Sequence, residues 1–429
     1  MASELNNDMY SWAKELFPIN RSITGKGLKD TLKYIKNKIP KLSIKSVKSG
    51  KKVFDWEVPD EWNVTEAYII NENNEKIIDF KDNNLHLMSY SIPIEKWITK
   101  EDLEKNLYSI PSIPDAIPYV TSYYKKNWGF CIKHEDRINL KSDFYHVVIK
   151  STLTKGELNY GELIIPGEEK KEVFISTYIC HPSMANNELS GPVVTIALIN
   201  YLLEKKRRYT YRIVFAPETI GAIAYLSKNY KALKKNVIAG FNMTCMGDER
   251  SYSYMPSRLG NTLADKVAKY VLDKYTPRYD AYDFSERGSD ERQYCSPLID
   301  IPLVSIMRSK YGTYPEYHTS KDDMDFITKK GLEESLALHI KCINIIENNN
   351  NYIANQPCEP QLSKRGLYSS LGNVHGNVIN KDRILLDILA YADGSLDTID
   401  LAKKINVEIF HLYELIDILI SHNLLRKYE

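Results

Sequence analysis

The stretch VFISTYICHPSMANNELSG, residues 173–191, decides both the fold class and the place of the candidate site. Its opening run, VFISTYIC, is nearly unbroken in apolar character, which predicts a strand buried on both faces. A helical pattern follows at 191–203. The loop between them carries a histidine, an amide and a carboxylate at His181, Asn187 and Glu188. We therefore expect a strand–loop–helix unit whose loop holds chemically active side chains.

The same alternation of strand and helix continues along the chain. The strand-like runs are RIVFAP at 212–217, VIAGFNM at 237–243 and LVSIMRS at 303–309, and the helical patterns fall at 220–230, 263–275 and 330–348. Strands that alternate with helices require crossover connections, which predicts an α/β fold with a mostly parallel sheet and helices on both faces. Ligands of such sheets bind beyond the carboxyl ends of the strands, so polar residues at those ends are the candidates for a site.

Length and composition set the broad class. The chain has 429 residues, 43% hydrophobic and 26% charged, with a net charge of +1. This balance gives no overall field toward nucleic acid or an acidic membrane. No run approaches the roughly 20 apolar residues of a membrane span, and the N-terminus lacks an export signal. The six cysteines are scattered, which favours reduced thiols in a cytoplasmic protein, and the 31 tyrosines leave a homo-oligomer open.

The distribution of apolar and polar residues along the chain predicts an α/β domain with a small β-rich insertion, followed by a linker and a C-terminal winged-helix module. Within the insertion, short apolar runs alternate with Asn, Pro and Tyr clusters. The predicted boundaries are 1–59 and 144–350 for the α/β domain, 60–143 for the insertion, 351–380 for the linker and 381–429 for the winged-helix module.

The C-terminal module has three helical segments in the order of a winged helix, at 383–392, 398–405 and 408–422. The last segment is the candidate recognition helix, and it carries three acidic residues and neither Lys nor Arg. A helix that binds DNA phosphates is expected to be basic. We therefore favour a packing or protein-contact role and expect no nucleic-acid partner.

Two histidines stand at predicted strand ends. His181 directly follows the strand at 173–180, and His318 follows the strand at 303–309 after a tyrosine-rich turn. Neutral imidazole is a common metal ligand, so both are candidate ligands. The alternatives are a loop that caps the next helix for His181 and an ordinary surface loop for His318.

Carboxylates occur at the same edge. Glu218 follows RIVFAP and could act as a general base and then a general acid, although an acid at a helix N-terminus is also favoured by the helix dipole. Asp290, Glu291 and Arg292 lie just before the strand at 303–309. They could orient a ligand or bind a substrate terminus, and an exposed charged loop is equally compatible.

Several ordered motifs resemble the zinc aminopeptidase family, which also includes glutaminyl cyclases. More closely, the chain resembles an uncharacterised bacterial aminopeptidase-like family labelled polysaccharide biosynthesis proteins. That family has an inserted domain of the protease-associated type and a C-terminal winged helix. The matching motifs are FPINRSITGKG, WEVPDEW, IPYVTSYYKKNWGFC, ICHPSMANNELSG, APETIG, GSDERQY, YHTSKDDMDF and CEPQLSKRGLY.

The resemblance implies a zinc site. His181 and His318 match the family's two histidine ligands, and Glu218 matches its general base. Three uncharged residues stand where the family carries acidic ligands: Asn187, Thr219 and Thr244. The resemblance therefore implies one zinc ion rather than two, with Glu188 as the third ligand. Asn187 and Asp290 are further candidates as ligands or as partners of ligands.

The leading hypothesis is a zinc-dependent aminopeptidase or amidohydrolase that acts on a small peptide or amide. Arg292 and Arg21 are the candidate substrate-binding residues. The alternative is a catalytically impaired binding module that recognises a peptide, amino sugar or glycan precursor in the same cleft, linked to polysaccharide biosynthesis. A fold hosts many functions, so the scaffold alone does not decide between the two.

Overall fold

The computed structural model describes residues 2–367 and 381–428, with side chains described from residue 9 onward. The chain divides into two compact units, Met1–Ile340 and Lys341–Glu429. The strands of the first unit are β1 (Ser43–Lys48), β2 (Lys52–Val53), β3 (Trp56–Glu57), β4 (Glu61–Asn71), β5 (Lys76–Asp79), β6 (Ile94–Thr99), β7 (Leu107–Tyr108), β8 (Phe130–Cys131), β9 (Phe144–Thr154), β10 (Glu157–Ile165), β11 (Glu169–Tyr178), β12 (Tyr209–Ala216), β13 (Val237–Asn242), β14 (Ser253–Met255), β15 (Asp280–Ala281) and β16 (Leu303–Met307).

The helices of the first unit surround these strands, and its last helix continues into the second unit. They are α1 (Ala2–Leu16), α2 (Lys26–Lys38), α3 (Lys100–Glu104), α4 (His134–Ile138), α5 (Ser190–Leu203), α6 (Ile220–Asn236), α7 (Leu263–Tyr275), α8 (Glu291–Tyr294) and α9 (Lys329–Asn348). Over the described residues, no helix has both the length and the apolar character needed to cross a membrane.

A central sheet of eight strands, in the order β1-β10-β12-β11-β13-β16-β14-β15, organises the first unit. Strands β12, β11, β13 and β16 pair in parallel, whereas β1 with β10, β10 with β12 and β14 with β16 pair antiparallel. The parallel strands β11, β12 and β13 are joined through α5 and α6, because a parallel pair needs a crossover. The predicted α/β fold is confirmed, with its parallel part in the middle of a mixed sheet.

The middle strand of the sheet is covered on both faces. Residues 173–178 of β11 are all buried, and successive side chains of a strand point to opposite faces. Helices α5 and α6 both contact β11. Burial on both sides explains why this strand has the unbroken apolar sequence noted above. It also leaves the carboxyl ends of the strands as the place where polar residues can face a cavity.

The inserted region is built on a second sheet, in the order β5-β4-β9-β6. Strand β4 pairs with β9 along nearly its whole length, so the sheet extends to Thr154, beyond the predicted end at residue 143. The boundary is hidden in the sequence because only residues 155–156 separate β9 from β10 of the central sheet. Trp62 lies in the core of this region and stacks on Tyr90, with ring centroids 5.6 Å apart. Its likeness to a protease-associated domain stays a prediction.

The second unit contains the three predicted helices and a small sheet. Its elements are β17 (Asn351–Ala354), α10 (Lys381–Ala390), β18 (Asp393–Asp397), α11 (Thr398–Lys404), α12 (Ile409–Ser421) and β19 (Leu425–Lys427). Strand β17 pairs with both β18 and β19, so the segment 351–380 is not a linker at its start. Four residues with one buried side chain, Tyr352, are too short a pattern to show a strand in the sequence. Residues 368–380 lie outside the described residues.

Candidate functional site

A cavity of about 450 Å³ opens at the carboxyl ends of the parallel strands. Cys180 and His181 follow β11, Glu218 follows β12, and His318 arrives on the loop after β16. The loops thus bring His181, Glu218 and His318, which are far apart in the chain, to one edge of the sheet. The wall is formed by Ile23, Trp56, Tyr119, Thr121, Tyr123, Tyr124, Cys180, His181, Glu218, Thr219, Ile220, Arg292, Gln293 and His318.

The two histidines form a close pair. Their ring centroids are 5.3 Å apart, and Nε2 of His181 lies 3.6 Å from Oε2 of Glu218. Nε2 of His318 is buried and has no hydrogen-bond partner among the described residues. Burial lowers the pKa of both imidazoles to about 3, so both rings are neutral and keep a nitrogen lone pair.

Glu188 supports His181 from the other side of the ring. Its Oε2 lies 2.8 Å from Nδ1 of His181, and its Oε1 lies 3.7 Å from Nε of Arg21. Burial raises the pKa of Glu188 to about 8, and the positive charge of Arg21 opposes that shift. Glu188 contacts Nδ1 while Nε2 of the ring lies toward Glu218. Ligand atoms of Cys180, His181 and Glu188 lie within 4.8 Å of one another, and the role of Glu188 as a metal ligand stays a prediction. A carboxylate in this position fixes the orientation and tautomer of the ring.

Arg21 also lies behind the histidine rather than in the cavity wall. Its side chain is fully buried, and Nε donates a hydrogen bond of 2.9 Å to the carbonyl oxygen of His181. A second bond of 2.6 Å runs from the guanidinium to the carbonyl oxygen of Leu16. The expected direct contact between Arg21 and substrate is therefore absent from this arrangement. Arg21 instead braces the backbone of His181 and faces Glu188.

Glu218 is the carboxylate that faces the cavity, with 19% of its side chain exposed. Asp290 lies behind it and accepts a hydrogen bond of 2.7 Å from the backbone N–H of Thr219. Burial, followed by the charge of Asp290, raises the pKa of Glu218 well above its usual range, and burial raises that of Asp290 to about 7. Arg292 lines the cavity and donates a bond of 2.8 Å to Oγ1 of Thr219. The raised pKa of Glu218 suits a carboxyl group that both accepts and donates a proton.

Uncharged side chains occupy the positions where the resemblance implies further acidic ligands. The hydroxyl of Tyr178 donates a bond of 2.9 Å to Oδ1 of Asn187 and lies 2.5 Å from Oγ1 of Thr244. All three side chains are buried. This network satisfies Asn187 without a cation. The site therefore offers two neutral imidazoles as donors for one metal ion, and among the described residues it lacks the acids of a second.

Asp322 holds the loop that carries Asn187 and Glu188, a role that the sequence did not reveal. Its carboxylate accepts hydrogen bonds from the backbone N–H groups of residues 185, 186 and 187, at 3.1, 2.6 and 2.9 Å. Three non-glycine residues at the site have a positive φ: Ser183 at 46°, Thr219 at 61° and His318 at 56°. Strained backbone of this kind clusters at functional sites.

Tyr119 is a second residue that the sequence did not single out. It comes from the inserted region, and its ring centroid lies 5.2 Å from those of both His181 and His318. Tyr123 and Tyr124, from the same segment, also line the cavity. Their sequence, IPYVTSYY, is equally typical of an aromatic core, so only the fold distinguishes the two roles.

Known proteins with the same fold include zinc aminopeptidases. The chain is 44% identical over 427 residues to a Clostridium acetobutylicum protein named a polysaccharide biosynthesis protein with an aminopeptidase-like domain, covering 99% of this chain and 97% of that one. A crystal structure of a C. acetobutylicum peptidase matches with a TM-score of 0.93 and 42% identity, covering 100% and 97% of the two chains. The zinc aminopeptidase of Bacillus subtilis matches in fold, with a TM-score of 0.59 and 14% identity over 81% and 95%.

Family models agree with these likenesses and with the division of the chain. Residues 350–427 match a winged helix-turn-helix model, which confirms the predicted C-terminal module. Residues 10–349 match a model that spans most of the chain. The resemblance to the aminopeptidase fold is thus confirmed, and the chain belongs to the family described as a domain of unknown function, DUF4910.

Proposed function

We propose that the protein is a hydrolase of small peptides or amides that depends on a single zinc ion. The proposal rests on two neutral imidazoles, those of His181 and His318, whose ring centroids are 5.3 Å apart. The cavity-facing carboxylate of Glu218 lies 3.6 Å from Nε2 of His181. Histidines are common ligands of catalytic zinc, and a carboxylate beside them can act as the general base. The aminopeptidase-like fold of the chain supports the same class of reaction.

The residues fit one metal ion better than two. His181 and His318 would hold it through ring nitrogens, since Nδ1 of His181 is engaged by Glu188 and Nε2 of His318 has no partner among the described residues. Asn187, Thr219 and Thr244 supply no negative charge for a second ion. A bound zinc ion would polarise the substrate carbonyl and lower the pKa of water.

The protein's own groups then carry the protons. Glu218 accepts a proton from the water whose oxygen adds to the carbonyl carbon, and returns it to the nitrogen as the C–N bond breaks. Burial and the charge of Asp290, which lies behind Glu218, raise the pKa of Glu218 well above its usual range, so its carboxyl group favours the protonated form more than a free one does. A raised pKa suits a group that must both take and give a proton near pH 7.

Arg292 supplies a positive charge that would orient the proposed substrate in the cavity. It lines the cavity beside Glu218, and its bond to Thr219 holds the guanidinium at the wall. A guanidinium is suited to bind a carboxylate. A short substrate with a free carboxylate, such as a dipeptide or an N-acyl amino acid, therefore fits this cavity best.

The second candidate function is a binding module without catalysis. It is favoured by the Tyr178 network, in which Asn187 and Thr244 are satisfied by hydrogen bonds and add no charge for a metal. The cavity would then recognise a peptide, an amino sugar or a glycan precursor. A link to polysaccharide biosynthesis belongs to this proposal, since the C. acetobutylicum relative carries that name.

The cellular setting is also part of the proposal. All six cysteines are free, and five of them are buried. Free thiols are typical of proteins in a reducing compartment, which supports a cytoplasmic location.

The decisive experiment measures zinc and turnover together. Protein purified without chelator is analysed for zinc, titrated with zinc after stripping, and incubated with a panel of dipeptides and aminoacyl p-nitroanilides. We expect one zinc ion per chain and hydrolysis of some panel members. Glu218→Gln is expected to abolish hydrolysis while the zinc content stays at one. Glu66→Gln, which alters a surface ion pair with Lys150, is the matched control.

Two results would overturn the hydrolase proposal. Glu218→Gln protein with normal hydrolysis would show that another group transfers the protons. Wild-type protein that binds no zinc at micromolar concentrations and hydrolyses nothing would favour the binding module.

A further inference from the structure

Tyr119 reaches the candidate site from the inserted region and contacts both histidines. Its ring centroid lies 5.2 Å from that of His181 and 5.2 Å from that of His318. It also lines the cavity that contains Glu218. A tyrosine in this place carries one polar group, its hydroxyl, into the space around the two imidazoles and the carboxylate.

The hydroxyl of Tyr119 belongs to a pair. It lies 2.6 Å from the hydroxyl of Tyr123, which also lines the cavity. A phenol is protonated at neutral pH, so the pair holds two protons, and a single hydrogen bond between the oxygens uses one of them. When Tyr123 donates to Tyr119, the proton of Tyr119 is left for a third partner. The ring of Tyr119 lies against the imidazoles and lines the cavity, so a ligand bound there would be placed to accept this proton.

The backbone around Tyr119 is fixed to the loop that carries His318. The N–H of Tyr119 donates a bond of 2.8 Å to the carbonyl oxygen of His318, and Pro118 and Thr319 form an antiparallel bridge. One step further, the N–H of Ser320 donates to the carbonyl oxygen of Ile117 at 2.8 Å. Tyr119 is therefore held in register with a candidate metal ligand. A preorganised donor needs this kind of rigidity, because it must not reorient during the reaction.

We propose that Tyr119 is a catalytic residue. Its hydroxyl donates a hydrogen bond to the carbonyl oxygen of the substrate as negative charge develops on that oxygen. This inference rests on the proposed hydrolysis. Tyr119 transfers no proton, since the proton of water passes to Glu218 and then to the leaving nitrogen. The inserted region thus supplies a chemical group to the reaction and does more than limit the size of the cavity.

The test compares three phenylalanine variants in the full-length, zinc-loaded protein. Tyr119→Phe keeps the ring against the histidines and removes only the hydroxyl. Tyr123→Phe removes its hydrogen-bond partner. Tyr252→Phe is the matched control, because its hydroxyl is bonded to Glu334 and Tyr252 does not belong to the cavity wall. For each, kcat and KM are measured with an aminoacyl p-nitroanilide, along with zinc content and the affinity for a phosphonate dipeptide analogue.

We expect Tyr119→Phe to lower kcat by roughly 100-fold with KM nearly unchanged, as found on removal of a single oxyanion donor. The affinity for the phosphonate, whose oxygen stands for the charged carbonyl oxygen, should fall in parallel. Tyr123→Phe should cause a smaller loss, and Tyr252→Phe none.

The outcomes separate this inference from the proposed function. Turnover by wild-type protein with unchanged kcat in Tyr119→Phe would overturn the role of Tyr119 and leave the hydrolase intact. Loss of zinc in Tyr119→Phe would show that the hydroxyl supports metal binding and not the developing charge on the substrate, which also overturns the role of Tyr119. An absence of turnover in zinc-loaded wild-type protein would overturn the proposed function, and this inference with it.

Discussion

Oε2 of Glu188 lies 2.8 Å from Nδ1 of His181, and both side chains are buried. The carboxyl group therefore occupies one ring nitrogen and leaves Nε2 for the side that faces Glu218. Carboxylate partners of this kind hold a metal-binding histidine in one orientation and make it a stronger ligand. The pair is therefore expected to determine the affinity of the proposed site for its metal ion.

We predict that Glu188→Gln weakens zinc binding by about 10-fold to 100-fold, the usual cost of removing such a partner. Zinc titration measures this effect.

Glu162→Gln is the matched control for this prediction. Glu162 is also buried, and it pairs with Arg212 at 3.0 Å, away from the cavity wall. This variant should lose stability and keep the zinc affinity of the wild type. Unchanged zinc binding in Glu188→Gln would contradict the role given to the carboxylate.

The zinc-free protein is predicted to lose stability as the pH rises from about 6.5 to 8.5. Burial raises the pKa of Asp290 and Asp322 to about 7 and that of Glu188 to about 8. Unfolded carboxyl groups titrate near pH 4, so between these values the folded protein holds more protons than the unfolded chain. The free energy of unfolding must then fall with rising pH. The buried histidines act in the opposite sense, but only below about pH 6.5, where an unfolded imidazole becomes charged.

Urea unfolding at pH 6.5, 7.5 and 8.5, with chelator present, measures this slope. Asp322→Asn removes one of the titrating groups and should make the slope shallower. The variant should also be less stable at each pH, since an amide offers only one oxygen where the carboxyl group offers two to the N–H groups of residues 185–187. A free energy of unfolding that rises across this range would show that the buried carboxyl groups are already ionised.

The sequence predicted those parts of the site that depend on local pattern. The apolar run at 173–180 predicted the buried strand β11. The topology of a parallel sheet then placed His181, Glu218 and His318 at the same edge. Asn187 and Glu188 were predicted to lie in a loop between a strand and a helix, and they lie in a helical turn between β11 and α5.

The directions in which the side chains point could not be predicted from the sequence. Residues 185–189 form a single π-helical turn, whose extra residue changes which side chain faces His181. Arg21 approaches from 160 positions away and Asp322 from 135 positions beyond Asn187, so neither contact has a local signal. Tyr119 is hidden for another reason, since its aromatic surroundings match a core as well as a cavity wall. These contacts are set by tertiary packing, which spacing along the chain does not encode.

Arg292 is predicted to select substrates with a free carboxylate. Its guanidinium lines the cavity and is anchored to Oγ1 of Thr219 at 2.8 Å. Hydrogen bonds between a guanidinium and a carboxylate contribute about 1.5–3 kcal/mol, which corresponds to about 10-fold to 100-fold in affinity. Arg292→Gln should therefore raise KM by this factor for dipeptides with a free C-terminus. The same dipeptides with an amidated C-terminus should show almost no change.

The comparison of the two substrate forms separates recognition from a structural effect. Arg250→Gln is the matched control, because Arg250 pairs with Glu316 and has no part in the cavity wall. If Arg292→Gln lowers kcat/KM equally for acid and amide substrates, the arginine acts through Thr219 and Glu218. If only the acid substrates are affected, the guanidinium contacts their carboxylate, and the orientation of the substrate follows: its carboxyl end lies toward Arg292 and its scissile bond toward the two histidines.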